Sequence, residues 1–264
     1  MSLEKEQLWK QQVDLLTDIM NKWIAPCVTP LTASNEHSVN YKGTGTFVSL
    51  DDKIFVLTAR HVADEHADDI LFHGSDQPVK LPDQYIRAPG SLDSAILPIP
   101  AELWQGMEHE AQAIQFEWFA GKFDPFPQEV YFFRGYAGEN AQYAFDINQT
   151  SATGYCTQIN ADFTDDTRFF YLLCRPSEIE FTSGTSDEAQ ENMKKEKANG
   201  FSGSLVWETG LSKAMAENRQ WKAEDAKIVG QVVNWDQNNY QLVVRRIEDV
   251  NKWLLEEVRG RAEA

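Results

Sequence analysis

The sequence predicts a strand-rich protein with a helix at each end. Two observations carry that expectation. Short β-branched or aromatic runs recur along the middle of the chain, broken by Gly, Asp, Asn and Pro, which is the signature of short strands joined by turns. At both ends the apolar spacing changes to that of an amphipathic helix.

In chain order, residues 1–23 read as an N-terminal helix. Leu8, Val13, Leu16, Met20 and Trp23 recur at three- to five-residue steps with charges between them. Pro26 and Pro30 stop it. Its simplest roles are packing or docking to a partner. Residues 24–118 then form a first strand-rich unit through "GTGTFVSL", "KIFVLTA" and "SAILPI". Residues 119–246 form a second through "EVYFFRGY", "RFFYLLC", "SLVWE", "KIVGQVVNW" and "YQLVVRRI". Two polar stretches interrupt the second unit. Residues 182–200 carry the spacing of a capping box, Thr185 with Glu188, and read as a short helix; residues 208–227 are rich in helix formers. Residues 247–264 place Ile247, Val250, Leu254 and Val258 on one helical face, a helix packed on the second sheet.

Composition removes several functions. Of 264 residues, 24 are Lys or Arg and 41 are Asp or Glu, a net charge of −17. That balance repels nucleic acid and anionic membranes. No run of about 18 apolar residues is present, and the first residues lack a cationic start followed by an apolar stretch. Cys27, Cys156 and Cys174 are odd in number and widely spaced. They read as free buried thiols in a reducing, cytoplasmic setting, with a Cys156–Cys174 bridge as the alternative. His37, His66, His73 and His109 show no paired ligand spacing, there is no C-x-x-C, and "GTGTF" lacks the Gly-Lys of a phosphate loop. No metal and no cofactor is expected.

One constellation carries chemistry. "NGFSGSLVW", residues 199–207, surrounds Ser202 with small residues. A serine hydroxyl is a weak nucleophile until a base, itself oriented by an acid, stands within hydrogen-bond reach. "FVLTARHVAD" puts His61 where an apolar strand ends, and "SLDSAILPI" puts Asp93 directly before another. Taken singly, each has a plainer reading: a satisfied core histidine, a turn aspartate, a glycine turn without catalysis. The force is in the conjunction and in the order His, Asp, Ser. An α/β-hydrolase would run Ser, acid, His through a G-x-S-x-G elbow, and here Ser204 stands at the second glycine.

These motifs resemble those of trypsin-like serine peptidases. "TARHV" resembles the signature around the family's histidine, "LDSAIL" its acid motif and "GFSGS" its nucleophile loop. "GTGTFV" is similar to the strand that opens the first barrel, and "IVGQVVNW" to the one lining the substrate channel. The likeness spans roughly residues 24–255. It implies two six-stranded antiparallel β-barrels with the site between them, flanked here by the two terminal helices. It also implies a serine endopeptidase in which Ser202 attacks, His61 serves as base and then acid, Asp93 orients, and the N–H groups of Gly200 and Ser202 form the oxyanion hole. Gly203 would leave room for substrate.

Phe201 departs from the family. Zymogen-activated members have an aspartate there to pair with a new amino terminus, which Phe201 cannot do, so the resemblance is to bacterial-type members without that device. Glu196 falls at the pocket position and would favour Lys or Arg, although "KKEKANG" reads more readily as a solvated helix. Asn234, Trp235 and Asp236 fall on the channel wall, where main-chain groups would pair with an extended peptide; Trp235 reads equally as core. The expected partner is a protein or peptide substrate, with a regulatory protein if the 182–200 stretch gates the site. The alternative is an inactive barrel that binds a protein.

Overall fold

Three apolar clusters organise the described residues, and strand alternation decides which residue enters which. The computed structural model describes residues 3–35, 38–136, 141–144, 147–150, 152–161, 167–175 and 200–260. A helix, α1 (Leu3–Ile24), leads through a 3-10 turn into the first sheet. Its strands are β1 (Val28–Asn35), β2 (Ser38–Leu50), β3 (Lys53–Thr58), β4 (Asp69–Ile70), β5 (Val79–Lys80), β6 (Ile86–Arg87) and β7 (Ala95–Ile99). Two short helices lie among them, α2 (Arg60–Asp64) after β3 and α3 (Ala101–Gly106) after β7. The antiparallel order is β5-β4-β1-β2-β3-β7-β6, and β8 (Ile114–Gln115) runs parallel to β2.

The second sheet begins with β9 (Tyr131–Gly135). After a separate hairpin of β10 (Ala141–Ala144) and β11 (Ile147–Thr150) come β12 (Thr153–Thr157), β13 (Phe169–Leu173) and β14 (Leu205–Glu208). A six-residue helix, α4 (Leu211–Ala216), precedes β15 (Lys227–Asp236) and β16 (Gln241–Arg246), and α5 (Ile247–Gly260) closes the described chain. The order is β12-β9-β14-β15-β16-β13. The Asn160 N–H donates to the Tyr171 carbonyl at 2.8 Å and the Leu173 N–H to the Gln158 carbonyl at 3.0 Å, so the segment after β12 meets β13 and curls the sheet onto itself.

Successive strand residues face opposite ways. Phe47, Val56 and Leu97 fill the first sheet's own core, while their neighbours Val48, Leu57 and Ile96 turn outward to a shared one. In the second sheet Tyr131, Phe133, Val206 and Val229 fill the interior, while Phe132, Leu205, Trp207 and Ile228 join the shared cluster. Leu16 and Met20 of α1 and Val250 and Leu254 of α5 complete that middle layer. Strands buried on both faces explain the continuous apolar runs in the sequence.

The architecture is the expected one, mostly β in two antiparallel sheets with terminal helices. The second sheet has six strands; the first has eight, because two-residue pairings add to its edges. The C-terminal face holds as read, with Ile247, Val250, Leu254 and Val258 all buried. Along α1 the buried side runs Trp9, Val13, Leu16, Met20 and Ile24, and Leu8 is 52% exposed. A five-residue step from Leu8 to Val13 turns about 140° around a helix, so the two residues do not share a face. Residues 208–227 hold only α4 and one 3-10 turn; Asn218 at φ 53° ends the helix in the left-handed region. Thr185 and Glu188 lie outside the described residues. All three cysteines are free, and burial pushes the Cys27 and Cys156 thiols up to about 12 and Cys174 to about 11. No helix among the described residues is long and apolar enough to cross a membrane.

Candidate active site

Strands β3 and β7 are hydrogen-bonded neighbours, with Thr58 opposite Ala95. His61 follows one and Asp93 precedes the other, so the pairing brings the two to the same end of the sheet. The His61 Nδ1–H donates to Asp93 Oδ2 at 2.8 Å, and the His61 backbone N–H donates to Oδ1 at 3.0 Å. A carboxylate held at both oxygens sets the direction of the ring. Because an ionised carboxylate only accepts, the proton of the neutral ring sits on Nδ1 and the Nε2 lone pair is left able to accept.

The electrostatics reinforce this arrangement. The hydrogen bond to Asp93 raises the imidazole above its ordinary value; burial opposes the rise, and the charges of Asp93, Glu65 and Asp64 add to it. Burial pushes the Asp93 carboxyl up, but the His61 hydrogen bond and charge, with the backbone N–H groups of His61 and Arg60, outweigh it and hold the carboxyl low.

Ser202 comes from the other sheet, just before β14. The Thr44 N–H donates to the Ser202 carbonyl at 2.9 Å. The Gly203 N–H donates to the Val232 carbonyl at 2.8 Å, and the Ser204 N–H to the Phe201 carbonyl at 2.9 Å. The Thr44 hydroxyl donates to the Gly200 carbonyl at 2.8 Å and accepts from the Tyr136 N–H at 3.0 Å. The Tyr41 hydroxyl reaches the Tyr136 carbonyl at 2.7 Å and the Gly200 carbonyl at 3.1 Å. The loop is thus moored to β2 of the first sheet.

Two glycines permit the approach. A Cβ on Gly203, whose φ is 94°, would stand 2.1 Å from the Thr44 carbonyl oxygen. A Cβ on Gly43 would stand 2.6 Å from Val62 Cγ2 and 3.0 Å from the Ser202 oxygen. Val62 adjoins His61, so the turn carrying the imidazole and the serine loop converge on one side-chain-free point. Gly200 takes φ 105°, a conformation open to glycine.

Among the described residues no hydrogen bond joins the Ser202 hydroxyl to His61. Glu196 lies outside the described residues. Asn234 is exposed and its side-chain oxygen accepts from the Trp235 N–H at 2.9 Å. Trp235 packs partly buried against the second sheet's core. The Asp236 carboxylate accepts from Asn238, Asn239 and Gln241 and ties the hairpin into β16. The residue before the serine has a role that the sequence did not disclose. Phe201 is buried and meets Phe133 and Tyr155 edge-on, at 5.2 and 5.3 Å between ring centres. Thr44 and Tyr41 were also missed, since their partners lie about a hundred or more positions along the chain and leave no local pattern.

No family model matches the chain, and no curated protein matches it in sequence. Solved structures do match. A serine endoprotease from Yersinia pestis is 15% identical with a TM-score of 0.54, over 92% of this chain and 66% of that one. A structure described under the coupled folding and binding of the Sesbania mosaic virus VPg protein is 14% identical with a TM-score of 0.50, over 87% of this chain and 90% of that one. The fold is that of chymotrypsin-like serine proteases. The low identities bear on architecture alone.

Proposed function

We propose that the protein is a serine endopeptidase of the trypsin-like kind, with Ser202 as nucleophile, His61 as base and Asp93 as orienter. The observation that carries this is the two-point His61–Asp93 contact on a protease fold, at the place where the serine loop converges. His61 Nε2 takes the Ser202 proton as Oγ attacks a peptide carbonyl, and the imidazolium returns that proton to the leaving amine. A water, deprotonated by the same nitrogen, then releases the acyl group. The N–H groups of Gly200 and Ser202 stabilise the oxyanion; neither donates elsewhere among the described residues.

The edge of β15 supports a peptide substrate. Its last bonds to the serine loop are at Val232, and residues 233–236 continue past the start of β14. An extended peptide adding there would lay its scissile bond near the loop. Trp235 and the main chain of Asn234 and Asp236 would form that wall; the Asp236 carboxylate serves the hairpin. Phe201 supports a bacterial-type enzyme that needs no cut at its own amino terminus, because the loop is anchored by aromatic packing.

A second reading rests on the absent Ser202–His61 hydrogen bond: a barrel that binds a protein without cutting it, or an enzyme whose site tightens only when a partner or substrate arrives. A fluorophosphonate probe decides. Labelling of the parent and none of Ser202→Ala supports the peptidase. A parent that stays unlabelled even with candidate peptide partners present supports the binding module, and labelling that persists in Ser202→Ala rejects Ser202.

A further inference from the structure

The loop carrying Asp93 is gripped from the opposite sheet. The Ser94 hydroxyl donates to Gln231 Oε1 at 2.6 Å, and both side chains are fully buried. The Arg245 Nη2 donates to the Ser91 carbonyl at 2.6 Å, and Arg245 is 3% exposed. Gln231 and Arg245 are cross-strand partners on β15 and β16. Two adjacent polar side chains therefore reach over the boundary and hold the loop on either side of the acid. Leu92 between them packs into the shared core.

The same stretch of β15 holds the nucleophile. Gln231 is paired with Leu205, and its neighbour Val232 exchanges backbone bonds with Gly203 and Ser204. One residue step along one strand thus links the acid loop to the serine loop. Strands in this position bury apolar residues on both faces, and "KIVGQVVNW" has one glutamine among them. A buried amide and a buried guanidinium contribute little net stability over apolar residues of their size, but their directional bonds fix geometry.

We propose that Gln231 and Arg245 are positioning residues, the grip by which the second sheet sets the Asp93 carboxylate in register with the Ser202 loop. The inference rests on the peptidase reading for its purpose, and its test is independent of turnover. The readout is the low-field Nδ1 proton of His61 by NMR, with its titration, in the full chain. Variants are Gln231→Leu, Ser94→Ala, Arg245→Met and the conservative Ser94→Thr, with circular dichroism to verify folding.

In Gln231→Leu and Ser94→Ala the low-field resonance broadens or shifts, and the imidazole titrates closer to ordinary histidine. The maximal rate of fluorophosphonate labelling falls about tenfold, as expected for a small misplacement of a catalytic group, while the probe concentration giving half that rate is unchanged. Ser94→Thr, which keeps the hydroxyl, retains the parent's behaviour. Arg245→Met shifts the resonance in the same direction, and an unmoved signal there removes Arg245 from the grip. An unmoved His61 resonance in folded Ser94→Ala overturns the proposal, including the case where Gln231→Leu fails to fold. If the resonance moves as expected in the variants while the parent itself never labels, the grip stands and the peptidase reading falls.

Discussion

His61 and Asp93 lie at the ends of neighbouring strands of one sheet, whereas Ser202 sits on a loop of the other sheet that is tied to the first by contacts across the boundary. The first half is set by local pairing: once β3 and β7 align, the imidazole and the carboxylate fall together. The second half depends on closeness between distant segments. Thr44 and Tyr41 moor the Gly200 carbonyl, Gly43 and Gly203 leave out side chains, and Phe201 anchors the loop among rings. The difference teaches where each kind of damage should appear. Harm to the first half should change chemistry and its pH dependence, and harm to the second half should change stability as well.

The largest expected effect is Ser202→Ala, which lowers turnover by on the order of 10⁶ while thermal melting stays near the parent's. An unchanged peptide-hydrolysis rate in this variant breaks the comparison outright. Next is Asp93→Asn, with a loss on the order of 10⁴ in turnover. It loses the carboxylate that orients and charges the ring, so the rise in labelling with pH shifts to lower pH. Rate–pH profiles of parent and variant check this.

Phe201→Ala comes third. Emptying a buried aromatic site costs roughly 3–5 kcal/mol, so urea unfolding should move well below the parent's midpoint and labelling should slow with it. Gly203→Ala adds about 1–3 kcal/mol of strain from the positive φ, together with the clash on the Thr44 carbonyl. If both variants lose labelling yet melt like the parent, the serine loop is not held as described.

The pH behaviour sharpens the contrast. The folded imidazole is raised, so protonated His61 stabilises the fold below the ordinary histidine value, and this contribution disappears as pH rises through the raised one. Activity, which needs the neutral ring, should rise over the same window. Opposite trends of melting temperature and labelling rate are therefore expected, and His61→Gln should abolish both.

The smallest effect belongs to Glu208 on β14. Burial, with the charges of Glu129 and Asp124, pushes its carboxyl up to about 7 from 4.5. Between those values the unfolded chain ionises first, so stability falls as pH rises across them and stays low above. Glu208→Gln should melt higher than the parent at pH above 7, and calorimetry across that range measures it.

Much of the fold is legible in the sequence itself. "KIFVLTA" and "SAILPI" announce buried strands because both of their faces are covered, and the order of His61, Asp93 and Ser202 pointed to the right fold. What escaped notice was long-range. Leu8 lies on the exposed side of α1, because the five-residue step from it to Val13 is not a helical repeat. Gln231 looked like one polar residue in a channel strand, since nothing local names Ser94, 137 positions away, as its partner. The hairpin role of the Asp236 carboxylate is decided by Asn239 and Gln241, which follow it, and leaves its main chain on the strand.

The loop around Ser202 is fastened by three rings, Phe201 against Phe133 and Tyr155. Such a fastening has no counter-ion to lose, so concentrated electrolyte that screens charges within a few ångströms leaves it intact, and sulfate, by strengthening apolar association, tightens it. The aromatic part of the hold on the Ser202 loop is therefore expected to be insensitive to salt.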